Sequence, residues 1–165
     1  MWAIPRVLAT RRSMAQIRRM DCKVEVKSSA DRFFDAFNTK AHLMPKMSTR
    51  LISDVKLLQG DWNSLGSVRM WYYASQGKSA ACKEARENVD EKNRTIVYSM
   101  LEGEISNYYK TWKSTLNVTP NGEGSLAEWT IEYEKQNDHV PEPLNYCYFY
   151  AIWSKDVDAY LLNAK

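Results

Sequence analysis

Residues 20–27, MDCKVEVK, set Cys22, Val24 and Val26 against Lys23, Glu25 and Lys27. A period of two predicts a half-buried strand. The period then changes. Ala30, Phe33, Phe34 and Phe37 recur at helical spacing behind Ser28, Ser29 and Asp31, which offer N-cap oxygens and a first-turn acid. This short helix should end near Asn38, and KAHLMPKM after it reads as a second weak helical or turn segment stopping at Pro45. Six strands follow in the pattern: Arg50 to Leu58, Ser67 to Ser75, Ser79 to Val89, Arg94 to Leu101, Asn107 to Val118, and Ala127 to Lys135. The last of these alternates Ala127, Trp129, Ile131 and Tyr133 with Glu128, Thr130, Glu132 and Glu134.

The connections are short and carry turn chemistry: Gly77, Asp90 to Asn93, Glu102 to Glu104, and Pro120 to Gly124. Short turns between consecutive strands predict an antiparallel meander. After Pro141 and Pro143 no glycine or proline interrupts the chain, so one helix of roughly 30 Å can run to Asn163. Tyr146, Tyr150, Trp153, Val157, Tyr160 and Leu161 form one apolar face, and Leu144, Cys147, Tyr148, Ala151, Ile152, Ala159 and Leu162 a second. A helix this apolar around its first turns is expected to be buried. A curved sheet closing on one long helix buries both, which predicts an α+β fold in a single domain.

The totals narrow the function. The chain has 165 residues, among them 10 Tyr, 6 Trp and 4 Phe, and a formal charge of +3. Arg6, Arg11, Arg12, Arg18 and Arg19 supply five positive charges to a segment without acids, so the remainder carries 3 − 5 = −2. No nucleic-acid partner is indicated. No apolar run reaches the roughly 20 residues of a membrane span. Three cysteines, Cys22, Cys82 and Cys147, are sparse and odd in number. That argues against a disulfide framework and for a reducing, cytoplasmic setting. Residues 1–16 are expected to be a disordered basic extension, with the fold in 17–165. The extension reads either as an organelle presequence or as the product of an upstream start, with Met14 as the working one.

Four stretches carry a resemblance: VEVKSSADRFF, LLQGDWNSLGSVRMW, the block EGEISNYYKTWKSTLNVTPNGEGSLAEWTIEYEK, and VPEPLNYCYFY with KDVDAYLLNA. Together, from Ile17 to Ala164, they resemble plant major-latex-protein-like chains, a branch of the Bet v 1 / PR-10 superfamily. The resemblance implies a helix-grip fold: a seven-stranded antiparallel curved sheet and two short helices around a long C-terminal helix, with a large apolar cavity between. It also implies binding of a hydrophobic plant metabolite, hormone or lipid, and an association with defence or stress. The alternative it implies is a cavity acid–base enzyme of specialised metabolism, of isomerase, lyase or cyclising type. Two departures stand out. The loop keeps only Gly60 and Gly66, with Trp62 inside it, and the helix carries Tyr148, Ile152 and Trp153 where relatives are more polar.

The candidate ligand contacts are Phe37, Tyr72, Tyr98, Trp112, Trp129, Tyr148, Ala151, Ile152 and Lys155, because aromatic walls with a few polar anchors suit a planar or terpenoid ligand. One of Tyr108 and Tyr109 should also face in. Acid–base candidates are His42, placed near the cavity entrance by the resemblance, and Glu102, Glu104 and Lys155. His42 and His139 are the only histidines, and no spacing of Cys, His and carboxylate suggests a metal site. The Gly60–Gly66 loop lacks the Lys-Ser/Thr pair and following helix of a phosphate cradle and reads as a turn or flap. No cofactor is expected. A monomer is expected, with a homodimer or a docking role for the surplus helix aromatics as alternatives.

Overall fold

The structure, a computed structural model, describes residues 16–164. The expected disorder of the N-terminal extension therefore lies outside the described residues, except at residue 16. Seven strands form one antiparallel sheet: β1 (Arg18–Val26), β2 (Ile52–Gln59), β3 (Val68–Ser75), β4 (Lys78–Asp90), β5 (Thr95–Gly103), β6 (Tyr109–Asn121) and β7 (Gly124–Lys135). Their order is β1-β7-β6-β5-β4-β3-β2, a meander closed by the first strand against the last. Between β1 and β2 lie α1 (Ala30–Asn38), a 3₁₀ turn (Ala41–Leu43) and α2 (Met44–Met47). A second 3₁₀ turn (Glu104–Asn107) joins β5 to β6, and α3 (Leu144–Asn163) ends the fold.

Local chemistry sets the boundaries. Ser29 sits in extended conformation and its hydroxyl accepts from the Arg32 amide, capping α1, while Phe33, Phe34 and Phe37 turn inward. Pro45 does not stop the second short helix, as its pattern suggested. It lies in the first turn of α2, where a missing amide hydrogen costs no helical bond. At Gly124 a side chain would stand 2.3 Å from the Val26 carbonyl oxygen, so only glycine lets β7 lie this close to the end of β1.

α3 is gripped on one side. Tyr150, Trp153, Ser154, Val157, Asp158 and Leu161 are buried against the sheet and α1. The second apolar face is largely uncovered: Leu144, Tyr148, Ile152 and Leu162 are exposed, while Cys147 and Ala151 are partly buried. The expectation of burial all round is thus corrected, because one sheet can enclose only one side of a rod. Two polar contacts fix the buried side. The Asp158 carboxylate accepts from the Lys27 and Ser28 amides at 2.9 and 2.8 Å and from the Ser28 hydroxyl at 2.6 Å. The Trp129 indole donates to Ser154 Oγ at 2.8 Å.

A disulfide joins Cys22 of β1 to Cys147 of α3, leaving Cys82 as the free thiol. This overturns the reading against disulfides. The partners lie 125 residues apart, so no spacing in the sequence marks them, yet the fold brings their Cα atoms to 5.6 Å. No helix among the described residues is long and apolar enough to cross a membrane.

Candidate functional site

The inner face of the sheet is read by parity. On β3 the inward residues are Arg69, Trp71 and Tyr73; on β4 they include Cys82, Glu84 and Arg86. β5 and β6 pair only from Thr95 to Ser99. Beyond that they part, and Met100, Ile105 and Trp112 from the parted ends wall a cavity. Trp71, Tyr73 and Glu84 form its floor, and Tyr146, Phe149, Tyr150 and Trp153 of α3 its roof. The cavity is partly open to solvent and holds about 60 Å³.

That volume is well below the roughly 300 Å³ and more of ordinary ligand pockets, and it corrects the expectation of a large cavity. Aromatic rings occupy the room. Trp129 stacks on Tyr150 at 4.5 Å and on Trp153 at 5.9 Å, and Trp153 meets Phe37 and Trp71 edge-on at 5.2 and 5.3 Å. Behind this plug a second void of about 10 Å³, lined by Phe37, Tyr98, Ser114 and Trp129, is at the limit of room for one water.

Glu84 borders both voids. One carboxylate oxygen, Oε1, accepts from the Trp71 indole at 3.0 Å. Among the described residues no other hydrogen bond reaches this carboxylate. Burial pushes its pKa up to about 7, against the opposing pull of the Arg69 charge and the Trp71 hydrogen bond. Arg69 lies directly across from it in the β3–β4 register, yet the two form no ion pair among the described residues. Arg69 instead donates from Nη2 to the Trp62 carbonyl at 2.6 Å, with its guanidinium 5.8 Å from the centre of the Trp62 ring. The His42 ring stands 5.8 Å from that of Trp62. The glycine-poor loop is therefore held by its tryptophan between two cationic or polar side chains. Arg86 is likewise buried and donates to the carbonyl and side-chain oxygens of Asn38 at the end of α1.

The candidate residues separate cleanly. Phe37, Tyr98, Trp112 and Trp129 line the voids. Tyr72 does not: it is on the outer face of β3, beneath the Lys56 ammonium. Tyr148 and Ile152 are on the exposed face of α3, and Ala151 is half-buried against the core without reaching either void. Lys155 is exposed and donates to the Glu25 carbonyl on β1. His42, Glu102 and Glu104 are exposed as well, and Glu102 pairs with Lys83 at 3.4 Å. None of the four acid–base candidates lines the cavity. Of the two neighbouring tyrosines, Tyr109 is buried and Tyr108 exposed. Glu84, Trp71 and Tyr73 were missed. For β3 the signal existed, since a strand with bulky residues on both faces leaves parity to be chosen. For β4 it did not, because Cys82, Glu84 and Arg86 do not look like an inward face.

Among the described residues no three Cys, His or acidic side chains lie close enough to hold a metal ion. The fold and its cavity define a class: an α+β helix-grip protein with an aromatic-walled void between sheet and long helix. The chain belongs to the pathogenesis-related protein Bet v 1 family, whose pattern matches residues 15–164, and within it to the major-latex-protein-like chains. It is 34% identical to MLP-like protein 31 of Arabidopsis thaliana, over 94% of this chain and 92% of that one. MLP-like protein 43 of the same plant is 36% identical over 88% and 94% of the two chains. The crystal structure of major latex-like protein 151 from Panax ginseng superposes with a TM-score of 0.85 at 29% identity, covering 88% of this chain and 98% of that one.

Proposed function

We propose that this protein binds a small hydrophobic plant metabolite between the sheet and α3, in a role tied to defence or stress. The observation that carries the reading is the partly open cavity walled by aromatic rings, with one carboxylate, tyrosine hydroxyls and a thiol among its lining groups. Affinity would come from apolar burial, on the order of 25 cal/mol per Å² removed from water. At about 60 Å³ the void takes a ring or a short chain end. A larger molecule would enter only if Trp153 or Phe149 gave way. An acid–base enzyme stands second, because His42, Glu102, Glu104 and Lys155 all lie outside the cavity. A cytoplasmic location fits the lack of a membrane-crossing helix among the described residues, while the Cys22–Cys147 bond speaks for a less reducing one.

Native mass spectrometry of protein purified from its own tissue tests the reading directly. A stoichiometric adduct of small-molecule mass is the expected result. Protein that arrives empty, and that neither takes up an apolar fluorescent probe nor shows a change in tryptophan emission with any hydrophobic compound, would overturn it.

A further inference from the structure

The cavity lining carries tyrosine hydroxyls and the Cys82 thiol but a single carboxylate, Glu84, and that acid has no ion-pair partner among the described residues. Glu84 could have paired with Arg69, which sits directly opposite it on the next strand. Arg69 turns away to the Trp62 carbonyl. One Glu84 oxygen takes the Trp71 indole hydrogen, and no other hydrogen bond among the described residues uses the carboxylate. Around it stand the rings of Trp71, Tyr73, Tyr150 and Trp153. The faces of such rings carry negative potential and attract cations, most strongly where water is excluded. A buried carboxylate is costly unless a counter-charge joins it. Arg69, committed to Trp62, offsets part of the charge without pairing with it, and an acid left without an ion-paired cation beside aromatic rings is complementary to a positive charge.

We infer that the cavity selects a hydrophobic molecule bearing a protonated amine, with its ammonium group on the Glu84 carboxylate and against the surrounding rings, and its apolar body towards the cavity mouth. This rests on the ligand-binding reading above and names the ligand class for that site. A neutral ligand of the same shape would leave the carboxylate unpaired. A carboxylic acid would be excluded.

The test uses the intact chain and three probes of one shape: 2-phenylethylamine, 2-phenylethanol and 3-phenylpropanoate. Calorimetric titration near neutral pH should show the amine bound about ten- to a hundredfold more tightly than the alcohol, the range of one charge-assisted hydrogen bond. The propanoate should not bind. Glu84→Gln should abolish the preference for the amine over the alcohol. A second readout stands independent of the variant's folding: in ¹³C-labelled wild-type protein below neutral pH, adding the amine should move the Glu84 carboxyl resonance to the ionised position. Equal affinity for amine and alcohol, a preference for the propanoate, or an amine preference that survives Glu84→Gln would overturn the assignment and leave hydrophobic binding intact. Failure of all three probes to bind would count against both.

Discussion

Trp129 and Ser154 are both fully buried, and the indole hydrogen of one lies on the hydroxyl oxygen of the other at 2.8 Å. One residue is on the central face of β7 and the other on the inward stripe of α3. The bond fixes the rotation of the helix about its own axis. That rotation decides which residues become the cavity roof, and it places Tyr150 and Trp153 there while turning Tyr148 and Ile152 to the outside.

Replacing Ser154 with alanine should therefore cost more than the loss of a surface hydroxyl. The Trp129 N–H would be left buried with no acceptor, a penalty of about 1–3 kcal/mol. Urea unfolding should show the midpoint falling with little change in slope. Ser154→Ala of wild-type stability would mean that the helix is oriented by ring packing alone.

The Cys22–Cys147 bond ties β1 to the first turn of α3, next to Tyr146 and Phe149 in the cavity roof. Thiol titration of the denatured, unreduced protein should find one reactive cysteine, Cys82, and three after reduction. Closing so long a loop is worth about 2–5 kcal/mol, so reduction should lower Tm by roughly 10 °C for a domain of this size. Three free thiols before reduction would remove the crosslink from the account.

How much of this was legible in the residues depends on periodicity. Period-two alternation marked β1 and β7, turn chemistry between apolar runs delimited the other five strands, and helical spacing marked α1 and α3. Family likeness then supplied the helix-grip arrangement. What could not be read was which face of a doubly apolar element turns inward. Tyr72 and Tyr73 are adjacent and chemically alike, yet only Tyr73 reaches the cavity, as the β2–β3 and β3–β4 registers dictate. Cys22 and Cys147 meet only through the fold. Glu84 was invisible for a different reason: a buried acid breaks the very alternation by which an inward face is recognised.

Tyr148 and Ile152 provide a test of the helix rotation that leaves the core untouched. Both are exposed, at 61% and 38%. The double change Tyr148→Ser with Ile152→Ser should leave stability within about 0.5 kcal/mol, the usual range for surface positions. Binding of any cavity probe should be unchanged. A marked loss of probe binding in this variant, with the fold intact, would restore these two residues to the site.

Glu84 makes stability depend on pH in a direction opposite to most carboxylates. Its folded pKa of about 7 exceeds the ordinary 4.5, so the folded state holds this proton more tightly than the unfolded one. The stability cost of ionising it is absent below 4.5, grows as pH rises through the interval, and is complete above about 7. The charged and titratable groups around it are Arg69 on β3, whose guanidinium is turned to Trp62, Cys82 on its own strand, Tyr98 on β5 and Tyr150 on α3. Burial raises the pKa of Cys82, Tyr98 and Tyr150 beyond the range, so these three remain neutral. The slope thus belongs to Glu84. Glu84→Gln should be more stable than wild type by about 3 kcal/mol at pH 8 and equal to it near pH 4. Parallel stability curves for the two proteins across that range would show that Glu84 is ionised and compensated in the folded state, with Arg69 as the group available to do it.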